Sequence, residues 1–230
     1  MSLSVLISDI VTDAREYADM VNTQFVTDQE IVGYIDKAYR QMYVKIVSQG
    51  SNYFNTNLDY AIIPQQDTYQ LPADFYRLTG VDLNIDSQNK ITLMNINMNE
   101  RNMLKNVFAT AYVNRGWRYW ISAENIIFTP SPDNNSSFTI WYIPDPVQIT
   151  STTQTLILNP AVVVDYLGVS AAVRCLQKEE SDASVLMKEQ ADLITQILDA
   201  TATQDSAFPL RVTDMSIIND QFLINPVIWR

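Results

Sequence analysis

The side chains that most enzymes use for proton transfer and metal binding are scarce in this chain. It has no histidine, so neither a Ser-His nor a Cys-His dyad can be assembled, and the commonest zinc ligand is missing. The single cysteine, Cys175, supplies neither a thiolate cluster nor an internal disulfide and fits a reducing compartment. Five glycines (Gly33, Gly50, Gly80, Gly116 and Gly168) stand far apart. A phosphate-cradling loop needs clustered glycines so that the backbone can approach the anion; P-loop and dinucleotide fingerprints are therefore absent. In "DLNIDSQNK", Asp82, Asn84 and Asp86 alternate like the start of a calcium loop. Ser87 stands where the turn glycine belongs, however, and Leu93 where a bidentate glutamate belongs. A strand followed by a polar hairpin accounts for the same residues. Glu179 and Glu180 adjoin Lys178, and sequence neighbours point different ways on a helix, so they read as a solvated helix junction rather than an acid/base pair. No catalytic residue, metal or cofactor is expected.

The remaining candidate for ligand chemistry is aromatic. "RGWRYWISAENIIFTPSPDNNSSFTIWYIPDP" (Arg115 to Pro146) holds three of the four tryptophans. A stacking platform for bases or sugars wants several aromatics on one exposed face with cations between them. Trp117 and Trp120 are three residues apart and so fall on opposite faces of a strand. Trp141 shares a face with Thr139 and Ile143, opposite Phe138, Ile140 and Tyr142. Arg115 and Arg118 are the nearby cations. This pattern favours sheet core and subunit packing over a platform. The rival reading is a carbohydrate-binding β-module using Trp117, Tyr119 and Trp120.

These residues must be positioned by the surrounding elements. Leu3, Leu6, Ile7, Ile10, Ala14, Tyr17 and Val21 recur at helical spacing. Thr27 with Glu30 forms a capping box, and Ile31, Ile35, Ala38, Met42 and Ile46 then line a second helix as far as Gly50. From Leu58 the period becomes two. Leu58, Tyr60 and Ile62 lead into a "PQQD" turn with Tyr69 and Leu71 returning, and Val81, Leu83 and Ile85 lead into "DSQN" with Ile91 and Leu93 following. A short helix is expected from Asn99 through Met103, Leu104, Val107 and Phe108, then strands at 117–121, 126–128 and 138–143. Helix period returns with Asn159 as cap and Pro160 in the first turn, carrying Val163, Tyr166, Leu167 and Ala171, and then Leu186, Leu193, Ile194, Ile197 and Leu198.

The expected class is α+β. N- and C-terminal helix pairs (1–50 and 158–203) form one bundle, with an antiparallel β-sheet or sandwich region (58–148) inserted between them. Residues 204–230 keep neither period, and Pro209 and Pro226 interrupt them. This apolar, extended tail is expected to dock on a partner through Phe208, Phe222, Leu223, Ile224, Val227, Ile228 and Trp229.

At 230 residues and 47% hydrophobic content the chain can bury a sizeable core. No basic stretch precedes the first apolar residues, so no signal peptide is expected, and no apolar run is long enough to span a membrane. Fifteen basic against twenty-six acidic residues give a net charge of −11. That excess repels phosphate and argues against gripping a nucleic-acid backbone, though not against DNA passing nearby.

"YQLPADFYRLTGVDL" (Tyr69 to Leu83) resembles the "Y-x-L-P-x-D-F-x-R-L-x-x-V" signature of phage head-to-tail adaptor proteins, the podovirus-type tail-tubular and ring proteins. "YWISAENIIFTPSPDNNSSFTIWYIPDPVQI" is similar to their hairpin and following strand, and the opening "TDQE-I" helix pair and the closing helix pair keep the family order. The chain departs from the family in having Gln66 and Glu124–Asn125 at turns where glycine is common. The resemblance implies a non-enzymatic virion component, made in the bacterial cytoplasm. It implies a cyclic ring, commonly of twelve subunits, that docks on the portal protein, meets a downstream tail protein and continues the channel through which genomic DNA passes without sequence-specific binding. A lower tail ring or tail-completion protein is the alternative within the virion. A carboxylate-based tail hydrolase is the enzymatic rival, and no motif supports it.

Overall fold

The computed structural model describes residues 3–20, 25–50, 52–85, 89–100, 117–130 and 136–202. Helix α1 spans Ile7–Tyr17, α2 Asp28–Ser48, α3 Val162–Glu179 and α4 Ser184–Ala202. The capping box forms as expected. The Thr27 hydroxyl accepts from the Glu30 amide at 3.3 Å, and the Glu30 carboxylate accepts from the Thr27 amide at 3.0 Å. Ile31, Ile35, Ala38, Met42 and Ile46 then bury the inner stripe of α2. Helix α3 is apolar nearly all round, with Val163, Tyr166 through Val173 and Cys175 buried. A helix of that kind must be enclosed, and α1, α2 and α4 all pack against it. Its end is closed by Glu180 in the left-handed conformation, with the Ser181 amide donating to the Leu176 carbonyl at 3.0 Å.

The β-region is two four-stranded sheets. One has the order β2 (Thr56–Ala61), β9 (Ser137–Pro144), β4 (Phe75–Asn84), β5 (Lys90–Thr92). The other has the order β3 (Thr68–Gln70), β8 (Asn125–Thr129), β7 (Arg118–Ser122), β6 (Met94–Asn95). Val81, Leu83, Phe138 and Ile140 from the first sheet and Tyr69, Tyr119, Ile126 and Phe128 from the second form one buried cluster. The alternation read from the sequence is what places them there: in β8, Ile126 and Phe128 are buried while Ile127 is half-buried. Every pairing in these sheets is antiparallel except β6 with β7, which is parallel. The chain is thus an α+β protein, as expected.

Several local expectations are corrected. Leu3 and Leu6 do not begin the first helix; Leu3–Leu6 is a strand, β1, paired antiparallel with β10 (Thr155–Leu158), which the sequence reading did not assign to a strand. Tyr69 does not return along Leu58–Ala61, because β3 crosses to the other sheet and pairs with β8. Asn159 is not the cap of α3, whose N-cap is Ala161 with no side-chain hydrogen bond. Asn159 instead offers its carbonyl to the Tyr53 hydroxyl. The hairpin of β4 with β5 forms as expected. The helix expected from Asn99 lies mostly outside the described residues; its start overlaps a short 3₁₀ turn at Met98–Glu100.

Strand β9 ties the two regions together. Phe138, Ile140 and Tyr142 enter the sandwich, while Ile143, on the opposite face, is fully buried among the helical residues. Beside it the Tyr43 hydroxyl donates to the Pro144 carbonyl, Arg77 donates to the Val47 carbonyl at 3.1 Å, and the Tyr43 and Phe54 rings stack with centroids 4.1 Å apart.

Candidate interaction surfaces

The aromatic stretch does not present an open platform. Tyr119 is in the sandwich core, Trp120 is 6% exposed, and Trp117 is partly buried against the same core. Trp141 is half-buried, and its indole N–H donates to Asp82 Oδ2 at 2.7 Å. Arg118 is half-buried on β7, and Arg115 lies outside the described residues.

The same contact disposes of the calcium pattern. Asp82 accepts from Trp141 through one carboxylate oxygen and from the Thr92 hydroxyl through the other, at 2.7 Å. Asn84 donates to Ser137 Oγ and Thr139 Oγ1 at 3.1 and 3.0 Å, and Asp86 lies outside the described residues. These are bonds between neighbouring strands. Among the described residues, no group of three or more acidic, cysteine or histidine side chains could hold a metal ion.

Glu179 and Glu180 are exposed at the end of α3, where Glu180 supplies the C-cap. Lys178 beside them is structural. Its ammonium donates to Glu30 Oε1 at 2.8 Å and to the Phe25 carbonyl at 3.0 Å, pinning the end of α3 to the start of α2. That hydrogen bond, with the Thr27 amide, holds the Glu30 carboxyl below its usual range. Cys175 is buried, and burial pushes its thiol up to about 11, which leaves it a packing residue and not a nucleophile.

The helices carry a marked separation of charge. Where α1, α3 and α4 converge, Asp9, Asp13 and Glu16 from α1 meet Asp165 from α3 and Glu189 from α4 around a partly exposed Tyr17. Burial first, and then Glu16, Asp165 and Asp9, push the Asp13 carboxyl above its ordinary value. Burial first, and then Asp165, Asp13, Glu189 and Glu16, push the Tyr17 hydroxyl up. Tyr17 can lie close over α3 because Gly168 faces it: a Cβ there would stand 3.2 Å from the Tyr17 ring. The outer face of α2 is the reverse. From Ile31 to Ser48 its only acid is Asp36, which is buried, bonded to the Ile149 amide and paired with Arg40. Lys37, Arg40 and Lys45 are exposed there around Val44. The sequence could have yielded this face, since it is what remains when the apolar stripe of α2 is marked off. The acidic cluster draws on three helices and has no sequence signature.

A shallow groove of about 300 Å³ runs between α2 and β10, lined by Tyr39, Met42, Ile46, Phe54, Leu158 and Val163. The Gln190 amide donates to Ser170 Oγ, so antiparallel α4 and α3 are in register there. The sequence-expected docking residues Phe208, Phe222, Leu223, Ile224, Val227, Ile228 and Trp229 lie outside the described residues. None of the described helices is long and apolar enough to cross a membrane.

Comparison with known proteins agrees with the resemblance of the motifs. A search of the curated proteins returned no match. The family model for the SU10 adaptor protein matches residues 5–213, which include all four helices and both sheets. A match over that much of the chain places this protein in the SU10 adaptor protein family, a family of phage adaptors.

Proposed function

We propose that this protein is a structural virion component that sits at the head-to-tail junction, forms a ring under the portal and extends the DNA channel towards the tail. The observation that carries the reading is the family match over residues 5–213. The physical character of the chain supports it. A net charge of −11 lets DNA pass without adhering. A ring of about twelve copies requires two different, complementary surfaces on each subunit. The helical part and the β-region are proposed as the subunit's two units, with 204–230 as a docking segment that orders on the portal or on a neighbouring copy. The apolar residues of that segment support the last point.

The test is native mass spectrometry of the full chain, alone and mixed with its cognate portal ring. A fixed number of copies added to the portal is the expected result; a chain that ignores the portal refutes the reading. A chain ended at Thr203 should lose portal or neighbour binding, and unchanged affinity would remove the tail from the proposal.

A further inference from the structure

We infer that the outer face of α2 is one half of the contact between copies, and that the acidic face formed by α1, α3 and α4 of the next copy is the other half. This inference rests on the ring reading and supplies the surfaces that reading leaves unnamed. Four observations point to it.

The α2 face is an unpartnered helix surface of unusual charge for this chain. The protein holds twenty-six acids against fifteen bases, yet the outer face of α2 exposes Lys37, Arg40 and Lys45 with no exposed acid from Ile31 onward. Among the other described cations near the helices, Arg15 pairs with Asp28, Lys178 with Glu30 and Arg77 donates to the Val47 carbonyl, while Arg174 on α3 and Lys188 on α4 stand singly and form no comparable face. Lys37 and Lys45 meet no carboxylate among the described residues; Lys37 lies 6.0 Å above the Tyr34 ring.

The acidic face is its complement. Asp9, Asp13, Glu16, Asp165 and Glu189 gather there; burial first, and then these neighbouring acids, push the Asp13 carboxyl and the Tyr17 hydroxyl up, and no cation appears among the groups acting on either. Within a single copy this arrangement costs stability. A cationic surface laid against it removes that cost. Each face also has an apolar centre that the subunit leaves in solvent, Val44 (49% exposed) on one and Tyr17 (42% exposed) on the other. An apolar or aromatic residue ringed by polar groups is the usual anatomy of a contact patch.

The two faces sit on different flanks. Helix α2 turns its buried stripe to α3 and its cations away, whereas the acids gather where α1 and α4 flank α3. A two-fold pairing would have to bring both surfaces of each copy into one interface. Placed on different flanks, they suit a head-to-tail contact, which is the geometry a ring requires. The match also makes the partner a second copy of this chain rather than DNA: a nucleic acid would be drawn to the α2 face but repelled by the other.

The experiment uses the full chain with its portal ring and reads copies bound and apparent affinity by native mass spectrometry. Three variants are compared with wild type: Lys37→Glu with Lys45→Glu, Asp9→Lys with Glu16→Lys and Glu189→Lys, and all five substitutions together. The first two set like charges against each other at the contact and should weaken assembly about ten- to hundredfold. The combined variant exchanges the signs of the two faces and should restore assembly, which misfolding could not do. An equimolar mixture of the two defective variants should also assemble, in strict alternation around the ring. If wild type assembles and both single-face variants assemble equally well, the contact is elsewhere and this inference is overturned while the ring stands. If both variants are defective and neither the exchange nor the mixture rescues them, charge complementarity is not the cause and the inference is likewise overturned. If wild type itself adds no copies to the portal, the ring reading fails and takes the inference with it.

Discussion

Replacing Ile143 by alanine tests whether the helical and β-regions unfold as one body. Ile143 is fully buried among helical residues, although its strand neighbours Ile140 and Tyr142 belong to the sandwich. The substitution removes three carbons, about 2.4 kcal/mol at about 0.8 kcal/mol each, before any cavity left behind is counted. The seat lies between α2 and β9, where the Tyr43–Pro144 and Arg77–Val47 hydrogen bonds hold the walls in place, so little collapse is available and the total should reach about 3–4 kcal/mol. For a chain of this size that lowers the thermal midpoint by about 6–16 °C. The assay is thermal and urea unfolding followed in parallel by far-UV circular dichroism, dominated by the helices, and by tryptophan fluorescence. Trp117, Trp120 and Trp141 all report from the β-region. Both signals should move together and by the same amount. Phe138→Ala, fully buried in the sandwich, is the reciprocal variant and should move both by a similar or larger amount. If Ile143→Ala shifts the dichroism transition while fluorescence keeps its wild-type midpoint, the two cores melt separately and the coupling assigned to β9 is wrong.

Two further perturbations bear on local features. Ala123, in the tight turn between β7 and β8, holds φ +51°, a conformation that costs a residue with a Cβ but not glycine. Ala123→Gly should therefore stabilise the fold by up to about 1 kcal/mol, and a thermal melt showing a loss would refute the strain. Asp13 bears on pH. Its folded pKa lies above its ordinary 3.8, chiefly through burial and then through Glu16, Asp165 and Asp9. Between the two values the folded chain binds the proton more readily than the unfolded one, so this group's contribution to stability falls as pH rises through that window. Asp13→Asn should raise the melting midpoint at neutral pH, by well under about 1 kcal/mol because the group is largely solvent-screened, and the gain should vanish below pH 3.8. A variant no more stable than wild type at neutral pH would mean that the acids around Tyr17 do not repel one another in the fold.

Elements whose instructions are local were legible in the sequence, and elements fixed by distant partners were not. Helix α2 could be read because Thr27 and Glu30 complete its cap within four residues and its stripe repeats without interruption. Strands β4, β7, β8 and β9 could be read because alternation and turn residues mark each one separately. Leu3–Leu6 failed because Leu3, Leu6, Ile7 and Ile10 fit a helical period equally well; the choice is made by β10, some 150 residues away, which satisfies their backbone as a strand. Strand β3 was legible but its partner was not, since its neighbour in sequence is not its neighbour in the sheet. The sequence places Ile143 only on the face of β9 opposite Phe138, Ile140 and Tyr142, and its burial among the helical residues is what makes it core. For the surfaces, the cations of α2 were readable and the facing acids were not, because no single element contains that cluster.

The acidic excess poses a physical problem that the charge separation answers. Identical copies of charge −11 repel one another, and closing them into a ring sets that repulsion at every contact. An acidic surface is nevertheless what a channel for DNA wants, because phosphate must not adhere. The two demands conflict only if charge is spread evenly over the subunit. They are compatible if the few uncommitted cations are held where copies meet: repulsion beyond about 10 Å is screened at cellular ionic strength, whereas pairs in close contact keep much of their attraction. Lys37 and Lys45, left without carboxylate partners among the described residues, are placed as that arrangement requires, and Asp13, strained by its own neighbours, is the kind of group that gains when such a surface arrives.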